Sequence, residues 1–249
     1  MEVKPRLSRD GTINPTIYGW RLAIPPGPSG RYRLSQLDDH LGLSRTAYPW
    51  HPPLTFSLRA RHSSNSAPGT WGFGLWNDPF GFSFGPGDTF FRLPALPNTV
   101  WFFYASPKNY LSFRDDKPAH GFLAQVFRSP RFHPSLLLAG LTLPFSRKMS
   151  RRILSKVIVE DAFALSHDLT QWHDYRIEWR QSLSTFWVDD HLVFQSPVTP
   201  RSPLGIVIWI DNQYAALTPE GKLKWGMEIN PESEWLEIEQ VETKRIERE

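Results

Sequence analysis

Thirteen residues constrain this chain most: Gly69-Thr-Trp-Gly-Phe-Gly-Leu-Trp-Asn-Asp-Pro-Phe-Gly81. On a strand, alternate side chains point to opposite faces. Trp71, Phe73 and Leu75 therefore share one face, and Gly72, Gly74 and Trp76 share the other. The first is a core face. The second is nearly bare backbone beside an indole, and it runs into the amide of Asn77 and the carboxylate of Asp78. Glycine inside a strand marks close approach by a ligand or by another part of the protein. Two readings follow. The bare face is a platform on which a sugar ring stacks its C–H face while its hydroxyls bond the amide and carboxylate. Alternatively, the glycines relieve twist or accept a packed side chain.

Punctuation along the chain sets the fold class. The 23 prolines argue for short strands and against a helical bundle. Residues 1–53 are loop-rich, with breaks at Pro25-Pro26-Gly27-Pro28 and Pro52-Pro53. Strands are expected at Leu54–Arg61, across the Gly69 segment, and at Asn98–Ala105, Tyr110–Phe113 and Gly121–Phe127. Gly81–Pro97 reads as an aromatic loop or weak hairpin. Trp172–Trp179 and Leu183–Phe194 read as a hairpin-like pair, with turns at Arg180-Gln181-Ser182 and Asp189-Asp190. Leu204–Asp211 and Trp235–Val241 follow. This spacing predicts an all-β, two-sheet antiparallel sandwich or jelly roll, formed as one domain over residues 1–249.

One stretch departs from the β pattern. His133–Phe145 is unusually apolar, and Ser146–Leu165 reads as an amphipathic helix. Together they make a helical insertion over 133–168. Lys148, Arg152 and Lys156 repeat at four-residue steps, joined by Arg147 and Arg151. Such a stripe is a solvated face, a cap over a cleft, or a surface for an anionic membrane.

Bulk properties narrow the function classes. A length of 249 residues supplies ample core. Cysteine is absent, which removes disulfides, thiolate metal sites and a cysteine nucleophile. That fits a reducing compartment, and Met1–Arg9 is polar, so the expected location is cytoplasmic. No apolar run reaches the ~18 residues that span a bilayer. A net charge of +3 makes no case for a nucleic-acid partner.

The late hairpin carries a family resemblance. Trp172-His-Asp-Tyr-Arg-Ile-Glu-Trp179 followed by Ser184-Thr-Phe-Trp-Val-Asp-Asp-His-Leu-Val-Phe194 resembles the corresponding hairpin of glycoside hydrolase family 16. A Phe-x-x-Arg-Ala-Arg strand (Phe56–Arg61) and the Gly/Trp strand precede it in the same order. Asp190 stands where the family has a turn glycine. The resemblance covers residues 54–127 and 170–243 and implies a concanavalin A-like lectin/glucanase jelly roll. It also implies a Glu-x-Asp-x-x-Glu strand, because retaining hydrolysis needs two carboxyl groups about 5–5.5 Å apart. Thr99, Trp101 and Tyr104 stand at those positions, and no Asp or Glu occurs between Asp88 and Asp115. The family's hydrolytic pair is missing.

What remains points to binding. If the Leu204–Asp211 strand borders the cleft as its family counterpart does, Trp209 and Asp211 join Trp76, Asn77 and Asp78 there. Asn212 and Tyr214 follow at the end of that strand, and Trp101 and Tyr104 complete the candidate ligand-binding set. Ile206, Ile208 and Ile210 form the opposite, core face. No catalytic residue, metal ligand or cofactor motif stands out. Asp174, Arg176 and Glu178 read as a surface charge ladder. Asp189-Asp190-His191 reads as a turn, and Glu160-Asp161 with His167-Asp168 as loop and capping groups. The leading reading is a noncatalytic binder of a glycan or small polar ligand. One alternative is an enzyme with a different residue set, for which His120, Tyr104, Arg92 and Gln125 offer lyase-like chemistry. Another is a structural or membrane-surface protein acting through the basic helix.

Overall fold

The structure, a computed structural model, describes residues 3–8, 10–79, 95–130 and 146–246. The apolar stretch over 133–145, Arg92 and most of the aromatic loop after Gly81 lie outside the described residues. In chain order the strands are β1 (Lys4–Leu7), β2 (Thr12–Pro15), β3 (Gly19–Ile24), β4 (Leu34–Asp38), β5 (Leu54–His62), β6 (Thr70–Trp76), β7 (Thr99–Ala105) and β8 (Gly121–Arg128). Helix α1 (Arg147–Val157) follows. Then come β9 (Val159–Ala164), β10 (His173–Trp179), β11 (Ser184–Val188), β12 (His191–Ser196), β13 (Gly205–Asp211), β14 (Gln213–Leu217), β15 (Leu223–Met227) and β16 (Glu234–Arg245).

Two antiparallel seven-stranded sheets form a sandwich. The front sheet runs β1-β4-β13-β6-β7-β8-β9 and the back sheet β12-β11-β10-β5-β16-β3-β2. β14 and β15 form a separate two-stranded ribbon. The all-β sandwich expected from the punctuation is therefore present.

Side-chain parity builds the core between the sheets. β5 alternates buried and half-buried along its whole length, sending Phe56, Leu58 and Ala60 inward. Trp71, Phe73 and Leu75 of β6 meet them from the front, as do Ile206, Ile208 and Ile210 of β13. On the outside of the back sheet a charge ladder faces solvent. Arg176 lies 3.8 Å from Glu178 and 3.7 Å from Asp190, and its guanidinium covers Trp187. Asp189 and Asp190 adopt positive φ (49° and 60°), which closes the β11–β12 hairpin as a tight turn.

Three local expectations need correction. Four strands, β1 to β4, lie before Leu54 in the stretch read as loop-rich. Tyr110–Phe113 forms no strand; Tyr110 makes only an isolated bridge to Ala216. The helix stops at Val157 rather than continuing to Leu165, because Val159–Ala164 leaves it to pair with β8. Ser146 caps the helix by accepting from the Met149 N–H at 3.3 Å. The β-branched run Val157-Ile158-Val159 suits the change from helix to strand.

The glycines of β6 are filled. A Cβ on Gly72 would collide with the Phe102 carbonyl and come within 2.9 Å of the Trp209 ring. One on Gly74 would lie 2.6 Å from Cα and Cβ of Trp101. Gly72→Ala is therefore expected to destabilise the fold by about 1–3 kcal/mol through overpacking, read as a lower urea midpoint with an unchanged m-value.

Candidate ligand-binding sites

The outward face of the front sheet gathers three of the predicted tryptophans. Gly72 pairs with Trp209 on one side and Phe103 on the other, and Gly74 pairs with Val207 and Trp101. With no side chain on β6 at these positions, indoles from both neighbours close over it. Trp76 stacks on Trp209 with centroids 6.2 Å apart and planes 7° off parallel. Trp101 lies 5.3 Å from Trp209 and stacks on Phe103 at 5.0 Å. Trp76, Trp101 and Trp209 retain only 8%, 7% and 6% exposure. Of the two readings of the glycine face, the geometry matches the packed side chain.

Polar groups hold this layer in place. Trp209 Nε1 donates to Thr70 Oγ1 at 3.1 Å, and Thr70 donates to Asp211 Oδ1 at 2.7 Å. Tyr32 donates to the other carboxylate oxygen at 3.3 Å. Burial outweighs these bonds and pushes the Asp211 carboxyl up to about 7. Trp76 Nε1 donates to His40 Nε2 at 3.2 Å, with Asp39 3.6 Å from the other ring nitrogen. Trp101 Nε1 donates to Gln125 Oε1 at 3.1 Å, and the buried Gln125 Nε2 has no partner among the described residues.

The remaining candidates separate from this group. Asn77 braces a loop: its amide donates to the Leu96 carbonyl, and its Oδ1 accepts from the Asn98 N–H. Asp78 turns the chain with φ 47°, and its carbonyl accepts from Arg45 at 2.6 Å. Asn212 is fully buried, accepting from the Arg33 N–H and donating to the Arg31 and Glu228 carbonyls, each at 2.9 Å. Tyr214 sits half-buried on the ribbon under Lys108. Tyr104 points to the opposite face of its strand, into the core, where it stacks on Trp71 at 5.7 Å.

Tyr104 leads to a second place, an open cleft of about 470 Å³ at one end of the sandwich. Its walls come from the ends of β7 and β8 and from the loop after β9. Tyr104, Phe122 and Leu165 supply apolar surface, and Asn65, His120 and His167 supply polar groups. Gly121 has φ +88° and nothing within 4 Å of its Cβ position, so the mouth stays clear there. His120 is exposed. His167 bonds Tyr175 through Nε2 at 2.8 Å and packs against His173, with ring centroids 4.5 Å apart. Burial first, then the His173 ring, holds His167 below the ordinary histidine range and favours its neutral form. His173 is itself anchored to Asp189 at 2.6 Å and to the Asp168 carbonyl at 3.0 Å.

Asn65, His167 and Asp168 meet Tyr104 only through tertiary packing, and no sequence spacing signals this cleft. The lyase-like set does not converge, since Tyr104 and His120 line the cleft while Gln125 lies on the outward sheet face. Glu160 secures the Ser112–Arg114 loop, and Asp161 pairs with Lys117 at 2.6 Å. Neither reaches His167-Asp168 to form a catalytic group. Among the described residues, no cluster of three or more acidic and histidine groups is placed to hold a metal ion.

No protein-family model matches the chain, and no curated protein matches it. Solved structures similar to it include a legume lectin-like domain from Entamoeba histolytica. That domain is 10% identical, with 98% of this chain and 90% of that one covered and a TM-score of 0.48. A carbohydrate-binding module from Bacillus subtilis is 11% identical, covering 96% and 94%, with a TM-score of 0.38. A GlcNAcα1-4Gal-releasing endo-β-galactosidase from Clostridium perfringens is 13% identical, with a TM-score of 0.44. It matches over 92% of this chain, which spans about half of that enzyme (52%). Likeness at this level concerns the general arrangement of stacked sheets and not a site.

The raised Asp211 carboxyl links stability to pH. Its protonated form is favoured by the fold. The stabilisation is complete below the unfolded value near ~3.9 and is lost as pH rises toward about 7. Urea unfolding from pH 4 to 8 is expected to show this decline in the native protein and a flatter profile in Asp211→Asn.

Proposed function

We propose that the protein is a noncatalytic binder of a small polyhydroxylated ligand, a sugar ring, and that the ligand seats in the cleft at the end of the sandwich. One observation carries this reading. The cleft is open and combines an aromatic and aliphatic wall with imidazoles whose ring nitrogens are not all engaged. Its volume of about 470 Å³ lies within the range of ordinary ligand sites, roughly 300–1,000 Å³. Apolar wall suits the C–H face of a pyranose, and His120, Asn65 and His167 suit its hydroxyls. The likeness of the β10–β11 hairpin to that of family 16 glycoside hydrolases supports a glycan ligand. Loss of the carboxylates from β7 supports binding without cleavage.

A second reading places the ligand on the outward face of the front sheet, among Trp76, Trp101, Trp209 and Asp211. It is favoured by the unpartnered amide nitrogen of Gln125 beside Trp101, since a buried donor without an acceptor costs about 1–3 kcal/mol that a ligand oxygen would recover.

Calorimetric titration with a panel of mono- and oligosaccharides separates the two. Saturable binding weakened about three- to tenfold by His120→Ala, and unaffected by Gln125→Ala, is the expected result. The reverse pattern moves the ligand to the sheet face. Silence across the panel removes the glycan reading, and turnover of any sugar replaces binding with catalysis.

A further inference from the structure

Most of the basic stripe of α1 is exposed. Arg147, Lys148, Arg152 and Lys156 face solvent, and Lys148, Arg152 and Lys156 make no salt bridge among the described residues. Arg151 is the exception. It is buried, donates to the Ser112 carbonyl at 2.7 Å and to Asp115 at 2.5 Å, and lies over the Tyr110 ring. Arg151 therefore fixes the helix to the sandwich and leaves the other cations outward. The contrast with the back sheet is sharp, where Arg21 and Arg61 both bind Glu237.

Beside the stripe lies an apolar surface. The turn between β14 and β15 abuts the start of α1, where a Cβ on Gly221 would lie 2.9 Å from the Lys148 nitrogen. A polar cleft of about 340 Å³ opens at this junction, and its lining includes Lys148, Arg152 and Ser155 together with the carboxylates Asp115 and Glu220. On the ribbon, Leu217 pairs with Leu223, Ala215 with Trp225 and Gln213 with Met227, so one ribbon face is mostly apolar. Trp225 is 70% exposed, and Met149 on the helix is 46% exposed. Lys222 lies in the turn that precedes β15. Unpaired cations call for an anionic partner. A soluble polyanion would engage the cations and leave Trp225, Leu223 and Met149 in water. A bilayer with anionic headgroups takes both, because indoles settle at the interface and cations meet the lipid phosphates and carboxylates.

We propose that α1 and the β14–β15 ribbon together form a docking surface for an anionic phospholipid bilayer. Lys148, Arg152 and Lys156 meet the headgroups, and Trp225 with Leu223 enters the interface. Glu220 at the junction opposes this attraction and tunes it to anion-rich membranes.

Co-sedimentation with vesicles of phosphatidylcholine plus phosphatidylserine, against phosphatidylcholine alone, tests the surface. The triple variant Lys148→Glu/Arg152→Glu/Lys156→Glu alters only exposed, unpaired groups, and its fold is checked by circular dichroism. Expected are selective binding to the serine-lipid vesicles, at least about a tenfold loss in the triple variant, and about a threefold or greater loss in Trp225→Ala. Failure to bind anionic vesicles, or full binding by the folded triple variant, overturns the proposal. So does unaltered binding by Trp225→Ala with displacement by heparin, which would identify a soluble polyanion site.

Discussion

The centre of the front sheet is dry on both faces, and the rest of the molecule is arranged around that fact. β7 and β13 are buried along their whole length, and β6 from Trp71 onward. Inward residues meet the back sheet. Outward residues meet one another, through indoles that cross β6 where Gly72 and Gly74 leave room. Aromatic pairs of this kind add about 0.5–1.5 kcal/mol each beyond the area they bury. The three outward indole N–H groups each find an acceptor: Trp209 in Thr70, Trp76 in His40, Trp101 in Gln125. Asp211 is held by Thr70 and Tyr32, and burial keeps its carboxyl near neutrality.

Double burial also decides what can be read from the sequence. Where one face is wet, alternation gives both the strand and its facing. β5 is the clear case, and β10 of the late hairpin follows it. In Thr99-Val-Trp-Phe-Phe-Tyr-Ala105 both parities are apolar, so the strand is legible but its facing is not. The spacing of the family motif groups Tyr104 with Trp101, but residues three apart on an unbroken strand face opposite ways, and Tyr104 lies in the core. β1, β2, β14 and β15 fail for the opposite reason. They are short and half-buried to exposed, so their sequences carry no clear burial alternation to read. The start of α1 is legible from its cap and stripe. Its end is not, because Val157, Ile158 and Val159 satisfy a helical apolar face and a strand equally well, and pairing with β8 decides.

Charge is distributed as unevenly as burial. On the back sheet, arginines are matched to glutamates across strands and lie over Trp172, Trp187 and Trp235, so that surface is close to self-neutralised. Such ladders stabilise little individually, but they leave no field to attract a charged partner. On α1, among the described residues, the inward Arg151 is matched to Asp115. The helix itself carries no acidic residue, whereas the back sheet sets glutamates beside its arginines, so the two surfaces differ in composition as well as in pairing.

With the broad face of the front sheet closed, the strand ends are what remain for a small ligand. There the core aromatics approach the surface as a stack. His62 lies parallel to Trp71 at 4.7 Å, and Trp71 is followed by Tyr104 and Phe122, which line the end cleft. The His62 ring is fully buried, and that burial pushes it down to about 4, so at neutral pH it packs as an uncharged plate. A stack backed by the inter-sheet core moves little, because displacing one ring displaces the next. The aromatic part of the cleft wall is therefore preorganised. Its polar part sits on loops between β5 and β6, between β7 and β8, and after β9. On the proposed binding reading, specificity falls to Asn65, His120 and His167, and affinity to a wall that the core already holds in place.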